Sequence, residues 1–285
     1  MSLAATSPTT ATGPDMDALG RRLSAVFLGI AGVAVLLFLV IPVLIVVPMS
    51  FSPSSSLQFP PQGFSLRWYG TVFTDAAWLE ALRTSLVLGV LSSTLALVLG
   101  SLAAYALVRG RFKGRDVLQA NFIAPLIIPS VILAVALYLA LAAVGALGTF
   151  AGLLLAHTLL GVPYVVLIMT VAIRTFDVRI EQVAFTLGAS WPTMFLRVLA
   201  PNLLPSAMAA WIFAFVTSFD EVVVTNFISG AVETVPKKMF NELVLQVNPT
   251  ITAIATVLIL MSVLLMAVAT ALARSARKAA GPDHH

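Results

Sequence analysis

The 285-residue sequence predicts an all-α protein that crosses a membrane with six helices. Three observations lead to this prediction: 60% of the residues are hydrophobic, only 10% are charged, and the mean hydropathy is +1.03. A soluble domain carries charge on about a quarter of its positions. The charges here are too few to cover a surface that faces water on all sides, which excludes an ordinary cytosolic enzyme. The absence of cysteine excludes a disulfide-stapled secreted fold.

Six apolar stretches are each long enough to cross the membrane, which takes about 20 residues for about 30 Å of hydrocarbon. They lie at about 24–49, 82–108, 118–143, 150–173, 203–228 and 251–273. The first stretch follows Arg21 and Arg22. It exceeds the roughly 7–15 residues of a signal-peptide core, so it indicates an uncleaved anchor. Prolines in the first, third and fourth stretches favour a bundle with irregular walls, because each proline leaves a backbone carbonyl unpaired.

The positive charges divide unevenly between the two sides that these spans define. One side holds 12 of the 16 lysines and arginines, and the other holds Arg67, Arg83, Lys237 and Lys238. Because cytoplasmic loops retain positive charge during insertion, we expect both termini to be cytoplasmic. The high sequence pI of about 9.8 is explained by this orientation in a lipid membrane, so it predicts no nucleic-acid partner.

The chain divides into two tails and one membrane domain. Residues 1–22 are rich in Ser, Thr, Ala and Pro and predict a disordered cytoplasmic tail. Residues 23–275 form the six-helix domain, and residues 276–285 form a second cytoplasmic tail whose last five resemble a tag remnant. Apart from the terminal His284 and His285, His157 is the one histidine, so no metal site is predicted.

The sequence lacks the motifs of an enzyme. It contains no Gly-Lys pair, and the phosphate-binding loop of ATPases needs one. It also lacks the Gly-x-Ser-x-Gly and His-Glu-x-x-His motifs. We therefore predict no catalytic site and no cofactor in this chain, so that any ATP hydrolysis takes place on another chain.

A long loop, at about 175–201, separates the fourth and fifth spans on the predicted cytoplasmic side. Long loops in compact proteins are usually functional or disordered. Asp177 can cap a first short helix, Gly188 can end it, and Pro192 stands where a second helix tolerates a missing N–H. The pattern predicts two short helices outside the membrane, with apolar side chains available to a groove on a partner.

This loop resembles that of the transmembrane permeases of bacterial ABC importers, whose motif is Glu-Ala-Ala-x3-Gly-x9-Ile-x-Leu-Pro. Here the motif stands as Gln182-Val183-Ala184, three residues, Gly188, nine residues, and Val198-Leu199-Ala200-Pro201. Gln182, Val183 and Ala200 depart from the motif, and a carboxylate is displaced to Glu181. The resemblance implies that the residues coupling the permease to its ATPase are Glu181, Gln182, Val183, Ala184, Gly188 and Pro201.

Further segments resemble the second (C-type) permease of the spermidine/putrescine subfamily. They lie at 63–69, 124–130, 157–164, 176–179 and 218–230. The resemblance implies a type I ABC importer permease fold in the bacterial inner membrane, a second permease subunit, a solute-binding protein, and two ATPase subunits that hold ATP and magnesium. The subfamily pattern is shared with uptake systems for other small solutes, so γ-aminobutyrate and betaine-like substrates remain alternatives.

The acidic pair Asp220-Glu221 lies inside the predicted fifth span, where each charge costs about 2.5–3.5 kcal/mol on insertion scales. At 1.5 Å per residue from Leu203, Asp220 stands roughly 26 Å along the helix, in the outer half of the membrane. Helical spacing places Ser218, Glu221 and Thr225 on one polar stripe. Together with the rings of Trp211 and Phe219, this stripe predicts a substrate path suited to a flexible polycation. The alternative is that the pair marks the helix end or bonds a partner subunit.

A solute-binding protein would dock at the charged residues before the last span, namely Glu233, Lys237, Lys238 and Glu242.

Two other classes of protein remain open at this stage. A secondary transporter or cation channel would use Asp220 and Glu221 as a proton or cation site, although such transporters often show internal repeats that are not detected here. A membrane scaffold would leave the two carboxylates without a purpose.

Overall fold

The computed structural model describes residues 16–245 and 249–279. Residues 1–15 of the predicted N-terminal tail and the tag-like residues 281–285 lie outside the described residues. Within the described ranges every regular element is helical, in the order α1 Met16–Met49, α2 Arg67–Thr74, α3 Ala76–Arg109, α4 Arg115–Ile123, a 3-10 turn Ala124–Leu126, α5 Ser130–Ala143, α6 Phe150–Thr175, α7 Val178–Thr186, α8 Trp191–Met194, a π-helical turn Phe195–Leu199, α9 Ala200–Phe219, α10 Val223–Ile228, α11 Val235–Leu245 and α12 Thr250–Ala279.

Helices α3, α6 and α9 pack closely against one another and form the centre of the bundle. At their crossing, a Cβ on Gly161 would lie 3.1 Å from the Cβ of Ala96 and 3.2 Å from that of Ala214. A Cβ on Gly100 would lie 2.7 Å from Cγ1 of Val165. Helices in a membrane associate through such close backbone approach, which small residues permit.

Helix α1 contains the first predicted span and begins earlier than the sequence predicts. It starts at Met16, so residues 16–22 are helical and the prediction of disorder is wrong for them. Most side chains of residues 25–44 are exposed, and α12 packs against α1. The last helix likewise runs to Ala279, so residues 276–279 of the predicted C-terminal tail are helical.

Two predicted spans each lie within a single helix, 82–108 within α3 and 150–173 within α6. The third predicted span, 118–143, is not one helix: the segment from Arg115 to Leu126 meets α5 at 106°. The reason is Pro129, which is extended with ψ 133° and lacks the N–H that would continue the helix. In the described part of the chain, four helices are long and apolar enough to cross a membrane, or five if the bent pair counts as one. The number six stays a prediction.

The fifth predicted span, 203–228, also differs from one straight helix. Helix runs without interruption from Trp191 to Phe219, so the predicted second loop helix is not separate but continues into the membrane segment. A π-helical turn precedes Pro201, whose missing N–H leaves a carbonyl of the preceding turn without its usual donor. Nearby, Asn202 Nδ2 donates to the carbonyl of Val198 at 2.7 Å. The helix then breaks at residues 220–222 and resumes as α10.

Candidate functional site

The acidic pair lies at the break between α9 and α10, not within a continuous helix. The N–H of Asp220 still donates to the carbonyl of Val216 at 2.9 Å, and its side chain is exposed. Glu221 is half-buried, and its Oε1 accepts a hydrogen bond of 2.8 Å from the N–H of Val224. Glu221 therefore satisfies one of the unpaired N–H groups at the start of α10, whereas the side chain of Asp220 is exposed.

The predicted polar stripe of Ser218, Glu221 and Thr225 does not line an open path. Ser218 and Thr225 are buried within the chain. Ser218 Oγ lies 2.8 Å from His157 Nδ1, and Thr225 Oγ1 lies 3.0 Å from His157 Nε2. The break at residues 220–222 and the imidazole from α6 turn both hydroxyls toward the interior of the bundle.

The aromatic residues of α9 form a ladder that packs against α3. Trp211 stacks on Phe215 with ring centroids 5.4 Å apart, and Phe215 stacks on Phe219 at 5.5 Å. Trp211 Nε1 donates to Thr94 Oγ1 at 3.1 Å, and the ring of Phe215 covers Gly89. Phe219 is buried in the bundle, whereas Trp211 is half-buried. The contact of these rings with a cation stays a prediction.

Helix α7 begins and ends as the sequence predicts. The side chain of Asp177 accepts a hydrogen bond of 2.8 Å from the N–H of Arg179, which caps the helix start. Gly188 has φ +84°, and the N–H of Ala189 donates to the carbonyl of Ala184 at 3.0 Å. This is the left-handed helix ending that glycine adopts without steric cost.

Glu181 points inward to the end of α3 and is buried. Its Oε1 lies 2.7 Å from Arg109 Nη2 and accepts from Arg109 Nε at 2.9 Å, while Oε2 accepts from Tyr105 Oη at 3.0 Å. Arg109 Nη2 also donates to the carbonyl of Phe176 at 2.9 Å, just before α7. We call these contacts of Glu181, Arg109, Tyr105 and Phe176 the loop anchor. The sequence places Glu181 next to the position of the motif glutamate. In the structure its carboxylate joins α7 to the end of α3.

The opposite side of α7 is apolar and open. Ile180, Val183 and Leu187 recur at helical spacing and are all exposed, Leu187 by 82%. Gln182 is exposed beside them, and Ala184 is buried against the bundle. Pro201 lies at the start of α9 and is exposed. Among the six predicted coupling residues, Gln182 and Val183 are the exposed ones on α7, and Glu181 and Ala184 face the bundle.

The four charged residues predicted to dock a binding protein are largely engaged within the chain. Lys237 is only 8% exposed, and its Nζ donates to Ser229 Oγ at 2.8 Å and to the carbonyls of Gly230 and Val232 at 2.6 and 3.1 Å. These bonds hold the ammonium of Lys237 inside the turn after α10, and its docking role stays a prediction. Burial lowers the pKa of Lys237, and the charge of Glu233 opposes that shift.

The other three charged residues form one cluster at the start of α3. Lys238 Nζ lies 3.7 Å from both Glu233 Oε2 and Glu242 Oε1, and 5.1 Å from the ring centre of Trp78. Burial raises the pKa of Glu242, and Lys238 opposes the shift. A cavity of about 560 Å³ opens beside this cluster, lined by Glu80, Thr84 and Glu233 among others.

Sequence reasoning missed two residues of these networks, Tyr105 and Arg109. Tyr105 and Arg109 are four residues apart at the end of α3 and so share one helix face, a signal that the sequence contains. The charge count assigned Arg109 to membrane orientation. Across residues 16–245 and 249–279, no three His, Cys, Asp or Glu side chains are grouped so that they could hold a metal ion.

A bundle of apolar helices that carries a fastened loop helix with an open apolar face is the arrangement of a membrane permease subunit. Residues 96–278 match the family described as "Binding-protein-dependent transport system inner membrane component". The chain belongs to this family, and it is accordingly a transport subunit of the inner membrane, not an enzyme. The resemblance seen in the sequence is confirmed.

Two relatives and one solved structure illustrate the similarity. The chain is 32% identical to the spermidine/putrescine transport system permease protein PotC of Shigella flexneri, over 93% of this chain and 99% of the relative. It is 36% identical to the putrescine transport system permease protein PotI of Escherichia coli K12, over 78% of this chain and 82% of the relative. A bacterial ABC transporter that imports the acidic polysaccharide alginate shares the fold, with a TM-score of 0.66, 18% identity, and coverage of 93% of this chain and 99% of that one.

Proposed function

We propose that this permease imports a polyamine, spermidine or putrescine, across the bacterial inner membrane. The observation that carries the proposal is the exposed carboxylate of Asp220 at a helix break inside an apolar segment. An ammonium group of a polyamine can exchange water for a charge-assisted hydrogen bond at such a carboxylate. The names of the relatives PotC and PotI support a cationic substrate over γ-aminobutyrate or a betaine-like solute.

The proposed assembly contains a second permease subunit, two ATPase subunits and an extracytoplasmic solute-binding protein. The exposed face of Ile180, Val183 and Leu187 is suited to a groove on an ATPase. ATP and magnesium belong to that partner chain. Since 12 of the 16 basic residues fall on the side of this loop, we place both termini and the loop in the cytoplasm.

Transport follows from two conformations of the permease pair, one open to each side of the membrane. ATP binding acts by favouring one conformation over the other, and only to the extent that the ATPases bind the two conformations differently. In this chain the loop anchor joins α7 directly to α3, and the continuous helix from Trp191 to Phe219 joins the loop to the break at Asp220. Movement of the loop is thereby passed to the segment that meets the solute.

The test is uptake into lipid vesicles that contain the reconstituted assembly and its binding protein. Spermidine, putrescine, γ-aminobutyrate and betaine are supplied separately as radiolabelled solutes. We expect polyamine uptake that depends on ATP and falls at least about tenfold in Asp220→Asn, which loses the charge. Asp116→Asn removes an exposed carboxylate from the first turn of α4 and serves as the matched control.

Three outcomes would contradict the proposal. Uptake of betaine or γ-aminobutyrate without polyamine uptake would overturn the substrate. Equal uptake by the Asp220→Asn and Asp116→Asn variants would remove Asp220 from the path. Uptake by the chain alone, with no ATPase retained on purification, would favour the stand-alone transporter or cation channel.

A further inference from the structure

A continuous row of buried hydrogen bonds crosses the bundle beside the break in span five. Ser92 Oγ donates to Ser218 Oγ at 2.9 Å, and Ser218 Oγ lies 2.8 Å from His157 Nδ1. On the other side of the ring, His157 Nε2 lies 3.0 Å from Thr225 Oγ1, which donates to the carbonyl of Glu221 at 2.8 Å. The row therefore ends on the backbone of the break itself.

The number of hydrogen atoms in this row determines which group donates in each bond. Thr225 gives its one hydroxyl hydrogen to the carbonyl of Glu221, so toward His157 Nε2 it can only accept. Nε2 must then carry the imidazole proton, and Nδ1 of a neutral ring accepts from the hydroxyl of Ser218. Ser218 in turn accepts from Ser92. With a neutral ring protonated on Nε2, Ser218 and Thr225 each donate one hydrogen bond and accept one.

The imidazole holds both sides of the break at once. Ser218 stands two residues before Asp220 in α9, and Thr225 stands four residues after Glu221 in α10. His157 comes from α6 and is only 1% exposed, so the ring is enclosed by these neighbours. Because α10 has only six residues, it has little helical hydrogen bonding of its own to set its direction relative to α9.

We infer that His157 is the positioning residue that fixes the break and thereby holds the carboxylate of Asp220 where the solute meets it. His157 touches no solute and acts through Ser218 and Thr225. The effect of His157 on solute capture rests on the proposed transport function, whereas its two hydrogen bonds do not. Loss of the two imidazole bonds should let α10 turn relative to α9 and should weaken solute capture without preventing insertion.

The first test reads the ring directly and needs no substrate. Replacing His284 and His285 leaves His157 as the single histidine of the chain. Labelling histidine with ¹⁵N then gives one imidazole in solid-state NMR spectra of the permease in lipid. We expect a neutral ring protonated on Nε2. A ring protonated on Nδ1, or an imidazolium, would overturn the inference.

Hydroxyl substitutions assign the two bonds separately. Ser218→Ala should move the Nδ1 signal, and Thr225→Val should move the Nε2 signal. Thr158→Val is the matched control, because Thr158 is buried on the same helix as His157 and its hydroxyl donates only to the carbonyl of Leu154. Signals that do not respond to Ser218→Ala or Thr225→Val, or that respond as strongly to Thr158→Val, would refute the row.

The second test separates positioning from simple filling of space. His157→Phe fills the site without hydrogen bonds, whereas His157→Gln keeps one donor and one acceptor. For uptake we expect His157→Phe to raise the KM for polyamine about tenfold with a smaller change in kcat, and His157→Gln to restore the KM to within about twofold. Equal kinetics for the two variants would overturn the positioning role.

A further pair of variants tests the outer end of the row. Ser92→Ala removes the donor to Ser218, whereas Ser93→Ala removes a neighbouring buried hydroxyl that donates only to the carbonyl of Val90. Ser92→Ala should shift the Nδ1 signal of His157, and Ser93→Ala should not. If the unmodified protein imports no polyamine, the proposed substrate fails, and the NMR readings still decide whether His157 bridges Ser218 and Thr225.

Discussion

Replacing Glu181 with glutamine should loosen the loop anchor and release helix α7 from the end of α3. The carboxylate makes an ion pair of 2.7 Å with Arg109 and accepts from Tyr105 at 3.0 Å. Breaking a buried ion pair by removing one charge costs about 3–5 kcal/mol. The side chain of Arg109 is 20% exposed and keeps its bond to the carbonyl of Phe176, so we expect the lower end, about 3 kcal/mol. That energy corresponds to about a hundredfold change in the equilibrium between docked and released α7.

Hydrogen exchange of the backbone amides in α7 measures this equilibrium without any partner protein. Local opening sets the exchange rate of amides that are protected only while the element is docked. In the permease held in lipid nanodiscs, the amides from Gln182 to Thr186 should exchange about a hundredfold faster in Glu181→Gln than in the unmodified protein.

Two further variants make the measurement specific. Gln182→Glu adds the charge of the family motif to the adjacent, exposed position, so it should leave α7 exchange unchanged. Arg109→Gln should accelerate exchange, and the double variant with Glu181→Gln should be much less than additive because both changes remove the same contact. Unchanged exchange in Glu181→Gln, or additive effects in the double variant, would refute the loop anchor.

Three other substitutions test the fold and the site. Gly188→Ala places a Cβ at φ +84°, which costs about 1–2 kcal/mol although no atom lies within 4 Å, and should speed exchange at the end of α7. Gly100→Leu should prevent close packing of α3 on α6 and lower the thermal midpoint of the permease, whereas Gly29→Leu, with nothing within 4 Å, should not. Lys237→Met leaves three acceptors without their donor, so it should destabilise the fold by about 2 kcal/mol. The measurement is the thermal midpoint, which should be lower than that of the control Lys113→Met at an exposed site.

The helix break at the acidic pair shows how far sequence reasoning reaches. The pair is conspicuous in an apolar stretch, and its placement near one end of the span follows from helical rise alone. The same reasoning assumed an unbroken helix and so placed Ser218, Glu221 and Thr225 on one face. Periodicity cannot reveal a break of three residues that is stabilised by a carboxylate cap and by an imidazole on another helix.

The coupling loop shows the same division between local and distant contacts. The cap at Asp177 and the left-handed ending at Gly188 involve residues within one turn, and the sequence predicts both. The partner of Glu181 is Arg109, 72 residues earlier in the chain. Such a contact depends on how α3 and α7 are arranged in space, which local pattern does not specify.

The sequence by itself determined the class of the protein, most of the membrane-crossing helices, the ends of α7 and the two carboxylates that need an explanation. These properties depend on composition and on interactions within one or two helical turns. The tertiary structure decided that Asp220 is exposed, that Glu221 caps a helix, that Glu181 fastens the loop and that His157 bridges the break. Each of these depends on the directions of side chains from helices that are distant in the sequence, and those directions are set by the close packing of α3, α6 and α9.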